Sequence, residues 1–204
     1  MQLSVYFSDL FTSHSIAVLV TLVLALVWGV SEYFGRQSTW KQGAPKHPSS
    51  RIDHGTYPFI AIGIIISLLG DILGFMSGVG GYLPVYATIA GAAVLITGVV
   101  VRGWALRTLG KFFTMPITIA KDHQIIQNGP YRWLRHPSYT GGFLIIIGMA
   151  LSIGSLVGVL VTIAAGFTVY VYRIRMEETA LRSHFGGAYD RYSKSTYRLF
   201  PWIY

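Results

Sequence analysis

Between Arg135 and Arg173 this chain runs for 37 residues without a Lys, Arg, Asp or Glu. As one helix that run would measure on the order of 55 Å at about 1.5 Å per residue. That is too long for a single passage through roughly 30 Å of hydrocarbon and suits two short ones. The stretch 136–172 is therefore expected to fold as a membrane hairpin. Its turn belongs at residues 152–155, Ser-Ile-Gly-Ser, where small and polar side chains interrupt the Leu/Ile/Val pattern and Gly relieves backbone strain.

Three earlier apolar runs, residues 16–34, 57–75 and 85–106, are each close to the roughly 20 residues a helix needs to span. With 52% of residues hydrophobic and 12% charged, an ordinary soluble domain is excluded. The expected fold class is an all-α integral membrane protein of about five transmembrane helices, with a long cytoplasmic loop and a C-terminal amphipathic helix. With five spans all sixteen Lys and Arg fall on one side of the membrane. The positive-inside rule then places the N-terminus outside and the C-terminus in the cytoplasm, in the cell or inner membrane if the source is prokaryotic.

The net charge of +8 is thereby read as a topology signal, reinforced by anionic lipid headgroups, and calls for no nucleic acid. The first run lacks a basic n-region and a small-residue cleavage site, so it is expected to stay as a helix. The absence of cysteine excludes disulfides, iron–sulfur clusters, thiolate zinc sites and cysteine nucleophiles. No metal site is expected.

Chemistry is expected where charge returns beside the apolar hairpin. The segment from Arg107 to Arg135 carries Thr108-Leu109-Gly110-Lys111-Phe112-Phe113, a β-prone Pro116-Ile117-Thr118-Ile119, polar Lys121-Asp122-His123-Gln124, apolar Ile125-Ile126 and an Asn128-Gly129-Pro130 turn. Loops of this length usually carry function. Pro137 can open the next helix, because the first helical position needs no N–H donor. Arg132, Arg135, His136 and the aromatics Tyr131, Trp133 and Tyr139 would also suit a plain membrane interface. Arg102 and Glu32 are expected to snorkel from span ends, and Asp71 to be a helix-end or packing residue.

Arg173 and Glu177, four apart, share one helix face just past the last run, and Glu178 adds a second carboxylate. A simple pair there would contribute only about 0.3–0.5 kcal/mol. Anchoring by positive charge does not account for the acids. Beyond them Leu181, Phe185, Tyr189 and Tyr192 recur at helical spacing, an apolar stripe able to lie on the bilayer or to cover the hairpin.

Taken in order, these pieces resemble the isoprenylcysteine carboxyl methyltransferase family of integral membrane enzymes. The resemblance runs over about residues 102–200: Gly129-Pro130-Tyr131, then Arg135-His136-Pro137-Ser138-Tyr139, then Arg173, Glu177 and Glu178, then Phe185-Gly186, Tyr189 and Arg198-Leu199-Phe200-Pro201. It implies one membrane methyltransferase domain over residues 1–204, with three N-terminal transmembrane helices in 1–106 and the catalytic half in 107–204. It further implies methyl transfer from S-adenosyl-L-methionine to a lipophilic acceptor that arrives from the lipid bilayer.

Carried over by position, the resemblance makes His123, Gln124, Ile125, Ile126 and Tyr131 one wall of a cofactor site. His136, Pro137, Ser138 and Tyr139 form another, and Glu177 and Glu178 supply its acids. Arg173 would be the catalytic and substrate-binding residue that orients the acceptor. A carboxyl acceptor of the isoprenylcysteine type is favoured by Arg173, because a guanidinium repels a protonated amine. A phospholipid N-methyltransferase, an NADPH-dependent reductase similar to the steroid 5-alpha-reductases, and a non-catalytic membrane scaffold stand as alternatives.

Overall fold

The structure, a computed structural model, describes residues 19–20, 22–23, 25–26, 28–30, 32–33, 37, 56–113 and 123–202. The β-prone segment 116–119, Lys121-Asp122 and most of the connector at 35–55 lie outside the described residues. The ordered elements are α1 (Thr56–Ser77), α2 (Val85–Leu109), α3 (Pro137–Ile153), α4 (Leu156–Phe185) and α5 (Gly187–Lys194), with 3-10 turns at Gly110–Phe112 and Gly129–Arg132. Each described residue from 19 to 33 is helical as well.

This is an all-α integral membrane protein. α1, α2 and α4 contain segments long and apolar enough to cross a membrane, and α3 is a shorter apolar helix. Their outward faces carry Leu73, Ile89 and Leu160, each more than half exposed, a surface suited to lipid rather than water. The hairpin turn falls at Gly154 and Ser155, inside the expected stretch. Gly154 takes φ 82°, a conformation other residues resist, and the Ser155 hydroxyl caps α4 by accepting from the Gly158 N–H at 3.1 Å.

Helices in lipid gain little from hydrophobic association and depend on close contact between small residues. α2 and α3 run antiparallel along such a seam. A Cβ added at Gly98 would lie 2.7 Å from the Gly141 carbonyl oxygen, and one at Gly148 would lie 2.5 Å from the Leu95 nitrogen. α1 packs on α4 in the same manner, and there Asp71 is buried against Gly158 with Thr162 3.5 Å from its carboxylate, the packing role expected of it.

The C-terminal stretch differs from a single amphipathic helix. Gly186, at φ 52°, ends α4 and begins the eight-residue α5, which turns the chain back towards α3. Residues beyond α5 then pair with the strand-like approach to α3: Arg135 N–H donates to Tyr197 O at 2.7 Å, Tyr197 N–H to Trp133 O at 2.9 Å and His136 N–H to Arg198 O at 3.1 Å. The tail thus fixes the backbone on which the Arg-His-Pro motif sits.

Candidate active site

At the end of the α3–α4 hairpin opposite its turn lies a cavity with about 870 Å³ of empty space, part of it open to solvent. Arg173, Glu177, Leu181 and Phe185 descend one face of α4 at every fourth position, and Tyr189 and Tyr192 continue that wall from α5. His136, Ser138 and Tyr139 at the start of α3 face them, with Arg135 beside. Leu109, Phe112 and Phe113 close one side, and His123, Gln124, Ile125 and Ile126 with Tyr131 close another.

Arg173 is 3% exposed, so its charge sits almost wholly inside the protein. Its Nε–H donates to the Tyr139 hydroxyl at 2.8 Å, and its guanidinium stands 5.9 Å from the centre of that ring. The Tyr139 ring stacks on His136 at 5.6 Å, nearly parallel, and meets Tyr170 at 5.5 Å. A hydrogen bond through Nε fixes the plane of the guanidinium, a planar group whose parallel donors match the geometry of a carboxylate.

His136 occupies the N-cap position of α3 without a side-chain capping bond, which releases its imidazole to the interior. Nδ1 lies 3.7 Å from Glu177 Oε2 and Nε2 lies 3.4 Å from Glu178 Oε1. The ring therefore sits between two consecutive carboxylates. Among the described residues, His136 Nε2, Glu177 Oε2 and the Tyr189 hydroxyl are buried with no hydrogen-bond partner. Buried polar atoms are normally satisfied; His136 Nε2 is turned to Glu178, which leaves Glu177 and the Tyr189 hydroxyl as the two cavity-lining groups that a ligand would complete.

The two acids have different surroundings. Glu177 lines the cavity with its side chain 30% exposed. Glu178 is 1% exposed and does not line it. Its carboxylate accepts from Arg135 Nε at 2.9 Å, Arg198 Nη2 at 3.2 Å and Arg182 Nη2 at 3.3 Å. Arg135 also donates to the carbonyls of Ser193 and Thr196. Glu178 thereby ties the approach to α3, the helix α4 and the C-terminal tail to one point.

The phenols of the outer wall are neutral donors. Burial, then the Glu177 charge, pushes Tyr131 well above the usual tyrosine range. Burial, then Glu178 and Glu177, does the same to Tyr189, and burial raises Tyr192. The Tyr192 hydroxyl donates to the Tyr131 carbonyl at 2.7 Å, locking α5 to the 3-10 turn. His123 bridges the rim, 5.0 Å from the Phe112 ring and 5.9 Å from that of Phe185.

The structure thus brings His123, Gln124, Ile125, Ile126, Tyr131, His136, Ser138, Tyr139, Arg173 and Glu177 to one cavity. Pro137 and Glu178 do not line it: Pro137 is the buried first residue of α3, and Glu178 points into the arginine cluster. The stripe Leu181, Phe185, Tyr189 and Tyr192 covers the cavity instead of lying on lipid or on the hairpin. Its helical spacing was the available signal. Glu32 and Arg102 do not snorkel: Arg102 Nε and Nη2 grip the two Glu32 oxygens at 2.7 Å each, and Nη1 donates to the Ser138 carbonyl at 3.0 Å. Trp104 and Trp133 form an exposed edge-to-face pair with Arg132 on the Trp133 ring, as interfacial anchors do.

Residues 91–183 match the family model of the isoprenylcysteine carboxyl methyltransferase (ICMT) family. A protein-S-isoprenylcysteine O-methyltransferase of Dictyostelium discoideum is 32% identical over 116 residues, which cover 56% of this chain and 49% of that protein. The chain spans about half the length of that relative. Protein-S-isoprenylcysteine O-methyltransferase A of Arabidopsis thaliana is 24% identical over 202 residues, 96% of this chain and 99% of the relative. The solved structure of a eukaryotic intramembrane Ras methyltransferase, isoprenylcysteine carboxyl methyltransferase, is similar with a TM-score of 0.59 at 26% identity, covering 74% of this chain and 54% of that one.

Proposed function

From the match of residues 91–183 to the isoprenylcysteine carboxyl methyltransferase family model, we propose that this protein transfers a methyl group from S-adenosyl-L-methionine to the carboxylate of a lipophilic, isoprenylcysteine-type acceptor. One observation carries the proposal. A buried Arg173 and a partly open Glu177, one helical turn apart, face the same aromatic-walled cavity at the border of the apolar hairpin.

The residues present fit such a donor. Glu177 with its unpartnered Oε2, together with the unpartnered Tyr189 hydroxyl, suits a molecule bearing an ammonium and hydroxyls. His123, Ile125, Ile126, Tyr131 and Phe185 suit a planar base and a sulfonium cation. When bound, S-adenosylmethionine supplies an electrophilic methyl whose transfer leaves a neutral thioether. An acceptor carboxylate is already ionised near neutral pH, so no residue has to remove a proton. The work left to the chain is to orient and to exclude water. Arg173 orients by a bidentate fork, and the Phe112, Phe113, Phe185 and Tyr189 walls exclude water.

Isothermal calorimetry in detergent is expected to give micromolar or tighter binding of S-adenosylmethionine and of its demethylated product, and much weaker binding of NADPH. Tight NADPH binding without S-adenosylmethionine binding would sink the proposal and favour a reductase. Radiolabelled donor with a total lipid extract then names the acceptor: label on a prenylcysteine carboxyl is expected, and label on a phospholipid amine would replace it.

We further propose five spans with the N-terminus outside and the cavity facing the cytoplasm, since this arrangement collects every Lys and Arg on one side. Reporter fusions at residue 80, within residues 152–155 and after Tyr204 should read outside, outside and inside. A cytoplasmic hairpin turn would overturn both the topology and the access route from the cytoplasm to the cavity.

A further inference from the structure

Glu32 belongs to the first apolar segment, outside the matched residues 91–183, yet it is only 8% exposed and holds Arg102 through two parallel 2.7 Å bonds. Two charges inside a membrane protein cost solvation that packing alone could have avoided. Their placement gives them a task. At Arg102 the helices α2 and α3 touch backbone to backbone, since a Cβ on Gly141 would fall 2.6 Å from the Arg102 nitrogen. From this seam Arg102 Nη1 reaches the carbonyl of Ser138, a residue of the cavity wall. The next residue, Tyr139, accepts the Arg173 Nε–H at 2.8 Å. A second thread runs beside it: Arg102 Nη1 and the Tyr170 hydroxyl both flank Gly142, and the Tyr170 ring packs on Tyr139 at 5.5 Å.

We propose that Glu32 and Arg102 are positioning residues: their ion pair fixes the Ser138 carbonyl, and through Tyr139 the Arg173 guanidinium, so that the first apolar segment is part of the acceptor-orienting machinery. The kinetic part of this inference rests on the methyl-transfer reading. Glu177 and the His123 to Ile126 segment, the acid and the apolar wall assigned to the donor, lie outside the Ser138–Tyr139 turn that the pair holds. Loss of the pair should therefore damage acceptor use far more than donor binding.

The test compares the purified full chain with the double variant Glu32→Gln/Arg102→Met, which replaces a buried pair by neutral groups of similar size and removes the bond to Ser138. It should melt close to the parent, bind S-adenosylhomocysteine within about threefold of it, and lose about tenfold or more in turnover with the acceptor. If the pair only glues helices, turnover would follow the melting temperature and stay near the parent value, which overturns the proposal. Equal losses in donor affinity and turnover would overturn it too.

Should the double variant not fold, Glu32→Asp keeps the charge but draws the carboxylate back by one methylene. Lower turnover at unchanged melting temperature is expected of it, and parental turnover sinks the idea. Hydrogen exchange of the peptide covering residues 136–142 reads the clamp without any methyl transfer. Exchange at that peptide should rise about tenfold in the variant while the α4 peptides stay unchanged, and unchanged exchange there refutes the clamp. Absence of labelled product from the parent protein counts against the methyl-transfer reading alone.

Discussion

Replacing Arg173 by alanine is expected to lower turnover with the acceptor by about a hundredfold, the scale associated with losing an orienting contact, while binding of S-adenosylhomocysteine stays within about threefold. The expectation follows from where the guanidinium sits. It is 3% exposed, its plane is set by the Tyr139 hydroxyl, and it opens on the same cavity as Glu177. An ionised carboxylate placed there needs no base, so the rate depends on its alignment with the methyl and on dryness. Arg173→Lys should recover little, because a mobile point charge cannot reproduce a fork of parallel donors. If the alanine variant turns over an identified acceptor at near the parent rate, the guanidinium is a helix anchor and the assignment of acceptor side to α4 fails. If instead the alanine variant gains activity on an amine acceptor, the carboxylate preference is reversed, since removing a cation favours a protonated amine.

Much of this arrangement could be read from the residues because it is local or periodic. The hairpin follows from an uncharged stretch twice too long for one crossing, and its turn from Gly154 and Ser155. The junction at the start of α3 follows from Pro137, and the cavity face of α4 from the four-residue interval between Arg173 and Glu177 that continues to Leu181 and Phe185. What the residues could not disclose depends on direction and distance. Glu32 and Arg102 stand 70 positions apart, and nothing local to either distinguishes a snorkelling side chain from a bidentate pair. The stripe ending in Tyr189 and Tyr192 has the same spacing whether it meets lipid or a ligand. Gly186 decides the matter by turning α5 over the cavity.

Glu177 and Glu178 show the same limit most sharply. Adjacent helical residues diverge by about 100°, so of two consecutive acids on α4 only one can face the cavity, and the motif alone does not say which. The surroundings of each now assign different work to them. Glu177 lines the cavity and carries an oxygen with no hydrogen-bond partner among the described residues, and Glu178 is fully enclosed by guanidinium groups from three parts of the chain.

Glu178→Gln is therefore expected to destabilise the fold, and Glu177→Gln to spare it. Removing the Glu178 charge leaves the buried Arg135 guanidinium, whose side chain is 9% exposed, without its counterion. It also loosens Arg182 and Arg198, which at 42% and 33% exposure recover part of their solvation. Breaking a buried pair by deleting one partner costs about 3–5 kcal/mol, and solvent access at two of the three arginines places this case near the lower end. A loss of that size in a chain of this length lowers the melting temperature by on the order of 10 °C. Glu177→Gln should melt within about 2 °C of the parent by the same scale, yet bind S-adenosylmethionine about tenfold or more weakly, because a charge-assisted bond to the donor is exchanged for a neutral one. Thermal shift and calorimetry on the two variants in the same detergent separate these outcomes. Should Glu178→Gln melt like the parent and lose donor affinity instead, the arginine cluster is not what holds the tail against α3, and Glu178 rather than Glu177 is the acid that meets the donor.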